Sequence, residues 1–61
     1  MKEQLRKARK EAGLTQIELA KISGISLVTI NRAENKQTKL VTYQKLFAAI
    51  QEHQASKQVQ S

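Results

Sequence analysis

Few side chains in this sequence could do covalent or metal chemistry. His53 is the only histidine among 61 residues, and cysteine is absent. No paired carboxylates, no Ser–His arrangement, no phosphate-cradling glycine loop and no cluster of metal ligands can be read along the chain. An enzyme is therefore not expected, nor is a cofactor, metal or small-molecule ligand. What the chain does carry is cationic charge. Eleven Lys and Arg against five acidic residues give a net charge of +6, with a pI near 10.1. The chemistry open to such a chain is the recognition of a polyanion, nucleic acid before an anionic membrane surface.

The charge has a location. Residues 1–13 carry Lys2, Arg6, Lys7, Arg9 and Lys10 against Glu3 and Glu11, net +3. Residues 36–45 carry Lys36, Lys39 and Lys45, again net +3. Between them, Lys21 and Arg32 balance Glu18 and Glu34, and in the last segment Lys57 balances Glu52. A neutral centre flanked by two basic segments suits a reading element between phosphate clamps. Phosphates attract charge, whereas base edges are read by shape and hydrogen bonds.

These residues need elements to position them. The chain has no proline, only Gly13 and Gly24, and no sustained two-residue alternation, so it reads as all-helical. Met1, Leu5, Ala8 and Ala12 mark one face of a first helix, which Gly13 ends. Thr15 and Glu18 have capping-box spacing and open a second helix running to about Ser23, with Leu19, Ala20 and Ser23 inward. Gly24 closes it, and Ser26 caps a third helix over roughly Leu27 to Glu34. There Ile30 and Ala33 point one way, while Leu27, Val28, Asn31 and Arg32 point the other. After a turn at 35–37, Thr38 is placed to cap a fourth helix with the stripe Leu40, Tyr43, Leu46, Phe47 and Ile50. Residues 1–52 thus form one domain, and 53–61 a polar tail or frayed helix extension. Tyr43 should face the core with its hydroxyl at the rim, and His53 should be exposed.

The second helix, the turn at Gly24 and the third helix make a helix-turn-helix. The run Gly13-Leu14-Thr15-Gln16-x-Glu18-Leu19-Ala20-x-x-x-Gly24-Ile25-Ser26-x-x-Thr29-Ile30-x-Arg32-x-Glu34-Asn35, with Tyr43-x-x-Leu46-Phe47-x-x-Ile50 after it, closely resembles the lambda-repressor/Cro-type DNA-binding family. The resemblance covers about residues 5–50. It implies an all-α, compact four-helix domain with a central helix-turn-helix, here without a clear fifth helix. It implies sequence-specific binding of double-stranded DNA, with the third helix in the major groove, and a role as a bacterial, phage or plasmid transcriptional regulator, a repressor by expectation. The matching positions for base reading are Leu27, Val28, Thr29, Asn31 and Arg32. Those for backbone contact are Gln16, Ser26, Asn35, Lys36 and Lys39. Arg9 and Glu34 match a structural ion pair.

The sequence departs from the family at residues 36–38, where Lys36 and Thr38 stand at positions often held by glycine and proline. The apolar pattern also stops at Ile50, so the usual dimer surface cannot be assigned. Val41, Ala48 and Ala55 form a heptad-spaced stripe on the outer face of the fourth helix, which suits a weak or DNA-induced homodimer. The alternative function is a protein-interaction module, such as an antirepressor or antitoxin-like partner, docking through Leu27, Val28, Ile17 and Ile22. No membrane span is expected, because no apolar run approaches about 18 residues, and no interfacial helix at residues 1–13, whose apolar face is mostly alanine without Trp or Phe. No signal peptide is legible, and the expected location is the cytoplasm of a bacterium or phage-infected host.

Overall fold

The computed structural model describes the backbone of residues 1–60 and the side chains of residues 1–56. Four helices follow in order: α1 (Lys2–Glu11), α2 (Gln16–Ser23), α3 (Leu27–Asn35) and α4 (Leu40–Gln60). Their ends are set by short-range chemistry. At the end of α1, Gly13 takes φ +73, its N–H bonds the Lys10 carbonyl, and the Leu14 N–H reaches the Arg9 carbonyl. These paired bonds make a Schellman turn, which a left-handed glycine permits without steric cost. The Thr15–Glu18 capping box is formed in both directions, with the Glu18 N–H to Thr15 Oγ1 at 3.1 Å and the Thr15 N–H to Glu18 Oε1 at 2.9 Å. Gly24 closes α2 at φ +72, and Ser26 caps α3 by accepting from the Thr29 N–H.

The helices pack as two crossed pairs, with α1 against α3 and α4, and α2 against α3 and α4. Their shared core is Leu5, Ala12, Leu14, Leu19, Ile30, Ala33, Tyr43, Leu46, Ala49 and Ile50, with Ala8, Ala20, Ile25 and Phe47 packed around it. Every helix contributes at least one of these side chains. The fold is therefore closed by contacts between elements that are far apart in sequence.

Several expectations are corrected. Met1 is exposed rather than part of the α1 face. Leu40, expected in the α4 stripe, is 59% exposed, while Ala49 is buried in its place. The arc of α4 that meets the core centres near Leu46 and Ile50. Leu40 lies about 120° around the helix from Leu46, and Ala49 about 60° on its other side. Thr38 is not the cap. α4 starts at Leu40, its first turn closing on the Lys39 carbonyl through the Thr42 and Tyr43 N–H groups. His53 is half-buried, because it follows Ile50 by three residues on the inward side. Residues 53–60 continue α4, and Ser61 of the expected tail lies outside the described residues.

Two substitutions test this construction. A Cβ added at Gly24 meets nothing within 4 Å, so Gly24→Ala should cost only the left-handed conformational penalty, about 1–2 kcal/mol. Leu19 is fully buried, and Leu19→Ala should cost about 2–5 kcal/mol. A domain this small has a total stability of roughly 3–9 kcal/mol, so the second change should leave a visible unfolded population. Urea midpoints followed by circular dichroism give both values. An unchanged midpoint for Gly24→Ala would contradict the positive φ.

Candidate nucleic-acid interface

Helix α3 is short and divided cleanly between two environments. Ile30 and Ala33 are fully buried, while Val28 is 70% exposed and Leu27 42% exposed. Asn31, Arg32 and Asn35 are exposed on the same outward side as Val28. The Asn35 amide donates to the Asn31 carbonyl at 2.9 Å and to Asn31 Oδ1 at 3.1 Å, lacing two of the outward polar side chains together. At the start of the helix, Ser26 Oγ lies 2.8 Å from Thr29 Oγ1. Thr29 sits on the flank and is half-buried.

The outward face continues into other elements. A shallow groove of about 280 Å³ runs between Gln16, Leu27, Val28 and Asn31. A second, of about 240 Å³, runs between Val28, Asn31, Arg32, Asn35 and Lys36. Val28 and Asn31 line both, so one surface extends from the N-terminus of α2, along α3, to the first residue after it. Lys39 is exposed at the start of α4. Gln16, Asn35 and Lys36 therefore line the ridge that carries Leu27, Val28, Asn31 and Arg32, with Ser26 exposed at its start; neither groove includes Lys39.

What holds α3 in this attitude is a buried polar hub. Arg9 Nε donates to Glu34 Oε2 at 2.7 Å, and its Nη2 to Oε1 at 3.2 Å. Its Nη1 donates to the Leu14 carbonyl at 2.8 Å, and the Gln16 Nε2 donates to Glu34 Oε1 at 3.2 Å. The Arg9 and Glu34 side chains are 11% and 3% exposed. The planar guanidinium meets the carboxylate with two donors and still has a third for the loop. One carboxylate on α3 thus engages the end of α1 and the beginning of α2.

Arg9 is consequently not available to a polyanion. The exposed face of α1 presents Arg6, Lys7 and Lys10 interleaved with Glu3 and Glu11, a mixed surface whose opposite charges stand at helical i, i+4 spacing. The basic segment 36–45 differs, since Lys36, Lys39 and Lys45 are all exposed with no acid among them. The two segments are equal in sequence charge but not in what they offer.

Two features of the site escape a reading of periodicity. The Gln16 side chain is bonded to Glu34, which only the folded arrangement brings near. The Tyr43 hydroxyl is not at the rim. Tyr43 is fully buried, and its hydroxyl donates to the Ala33 carbonyl at 2.7 Å. An apolar stripe signals a buried tyrosine ring but not where its oxygen finds a partner.

Residues 5–52 match the model of the Cro/C1-type helix-turn-helix family, and the chain belongs to that lambda-repressor/Cro-type family. It is a DNA-binding helix-turn-helix domain. Neither a curated protein nor a solved structure matches it. Among the described residues no helix is long and apolar enough to cross a membrane.

The hub makes a sharp prediction about stability. Arg9→Ala leaves Glu34 buried without its cation, which should cost about 3–5 kcal/mol. Replacing both partners by apolar residues of similar size, Arg9→Met with Glu34→Leu, should recover most of that loss. Thermal unfolding of the two variants checks it. Equal loss in both would show that the charge of Glu34 is not the source of the cost.

Proposed function

We propose that this domain binds double-stranded DNA in a sequence-specific manner, with α3 in the major groove, and acts as a transcriptional repressor of bacterial, phage or plasmid type. The observation that carries the reading is the continuous outward surface from Gln16 to Lys36, centred on the exposed Val28. An α-helix fits the width of the major groove, and a solvent-exposed Leu–Val pair at the front of a rigid helix needs an apolar partner there. In DNA that partner is the thymine methyl.

The roles follow from residue chemistry. Leu27 and Val28 pack against methyl groups. Arg32 offers a planar fork to guanine O6 and N7. Thr29 and Asn31 add polar contacts at the base edges. Gln16, Ser26, Asn35, Lys36 and Lys39 hold the backbone on either side, where contacts position the domain without reading sequence. Residues 1–52 form the binding domain, with 53–60 extending α4 from it. By occupying an operator the domain excludes polymerase.

A single module of this size covers little DNA, and two half-sites give useful affinity. The exposed Val41, together with Ala48 and Ala55 on the same outer side of α4, supports a weak or DNA-induced homodimer. The site of action is the cytoplasm of the bacterium or infected host.

Selection of bound sequences from a random duplex pool tests the reading. The enriched motif should place T·A pairs against residues 27–28 and a G against Arg32, and a motif lacking both would refute this assignment. Arg32→Ala should cost about 1–3 kcal/mol at one base position, whereas Lys36→Ala should weaken all sequences alike and lower the salt slope by about one. Sedimentation with and without a palindromic site measures the dimer.

A further inference from the structure

We infer that Tyr43 is a positioning residue for DNA binding: its buried hydroxyl keeps the turn that carries Lys36 and Lys39 in register with Arg32 on α3. The inference rests on the DNA reading given above and assigns Tyr43 no contact with DNA.

The α3–α4 connection is built without the usual stiffeners. Residues 36–39 read Lys-Gln-Thr-Lys, with neither glycine nor proline to restrict or shape the backbone. At one end, the Lys36 N–H bonds the Arg32 carbonyl at 2.7 Å, and at the other the Lys39 carbonyl accepts from the first turn of α4. Between these anchors, the Thr38 N–H donates to the Tyr43 hydroxyl at 3.4 Å. The same hydroxyl donates its own proton to the Ala33 carbonyl at 2.7 Å. That carbonyl belongs to the last turn of α3, where a helix leaves its C=O groups without internal partners.

One oxygen therefore touches both halves of the interface. Its shorter bond anchors the hydroxyl to the last turn of α3, which the Glu34 hub and the buried Ile30 and Ala33 hold independently. Its longer bond locates the middle of the turn whose two lysines face solvent. The ring is fully buried, so the hydroxyl is held by the core rather than by the turn it orders. If the bond to Thr38 is lost, the lysines keep their charge but lose a fixed distance from the reading helix. The phosphates they would neutralise are spaced by the DNA, so lost register means lost contacts.

The test is a double-mutant cycle on the full chain. Tyr43→Phe removes the oxygen and keeps the ring. Binding to non-specific duplex and to the selected site is measured across a salt series, at a temperature where each variant's folded fraction is known and corrected for. In the wild-type background, Tyr43→Phe should weaken binding to both duplexes by about three- to tenfold and lower the salt slope by about one to two. The ratio of specific to non-specific affinity should stay within about twofold. In a Lys36→Ala/Lys39→Ala background the same substitution should have almost no further effect, because coupled residues are non-additive. Equal losses in both backgrounds, or a fall in the specificity ratio, would overturn the inference, since the hydroxyl would then be acting on α3 itself. No loss at all would also overturn it.

Should Tyr43→Phe fail to fold, the single tyrosine offers a second measurement. Replacing tyrosine by 3-fluorotyrosine labels this position alone. Its fluorine resonance should move when non-specific duplex binds and stay fixed when duplex binds the double-lysine variant. An equal response in both would reject the coupling. If the wild-type chain binds no duplex, the DNA reading itself fails; if it binds but the cycle shows no coupling, only this inference fails.

Discussion

The carboxylate of Glu34 is the point on which the arrangement of this domain turns. It lies on the last turn of α3 and is almost completely buried, so it must be matched by donors from elsewhere. Arg9 supplies two and Gln16 a third. Those donors come from the end of α1 and the start of α2. Helix α3 is thereby fixed, at its C-terminal end, to both neighbours by bonds with direction. Apolar packing alone would permit sliding and rotation, because dispersion and hydrophobic burial are non-directional. A buried ion pair is weak evidence of stability; here its geometric consequence is the orientation of α3.

A small domain without disulfides has to obtain rigidity from such directional contacts and from a few large side chains. The core is drawn from all four helices and is dominated by aliphatic residues with one tyrosine. The outer surface of α3 is apolar at its start, polar at Asn31 and Asn35, and cationic at Arg32 and at Lys36 just beyond its end. In a free domain that distribution leaves hydrophobic area facing solvent; the proposed function would set it against a groove lined with methyl groups and bordered by phosphates. The Cro/C1-type family match and the reading of this face rest on different grounds. The match rests on sequence pattern, and the physical reading on exposure and continuity.

Charge is also redistributed by folding. In the sequence the first and third segments look like equivalent basic clamps. In the structure Arg9 leaves the first of them for the interior, and the cations that remain on α1 stand among acids. The segment after α3 keeps all of its lysines at the surface, with Lys36 beside the outward face. The electrostatic field offered to a polyanion is therefore strongest on the side where α3 ends.

The elements, and the boundaries of α1, α2 and α3, are legible because their signals are local. Capping at Thr15 and Ser26, and the left-handed turns at Gly13 and Gly24, depend on groups within a few residues of one another. The division of α3 into Ile30 and Ala33 on one side and Val28, Asn31 and Arg32 on the other follows from helical periodicity. Periodicity is less reliable at the start of α4, where Leu40 is exposed and the buried arc is rotated toward Ala49. It could not place the Tyr43 hydroxyl or the Gln16 amide, since their partners are ten and eighteen residues away. Nor could spacing alone turn Arg9 inward: matched family positions suggested its partner, and only packing could bury it. Four helices, the caps at Thr15 and Ser26 and the exposed face of α3 follow from the sequence alone, because these are set by short-range sterics and hydrogen bonds. Tertiary structure decided which cation is buried, which oxygen orders the last turn and which arc of α4 meets the core, because each depends on groups that only the folded chain brings within bonding distance.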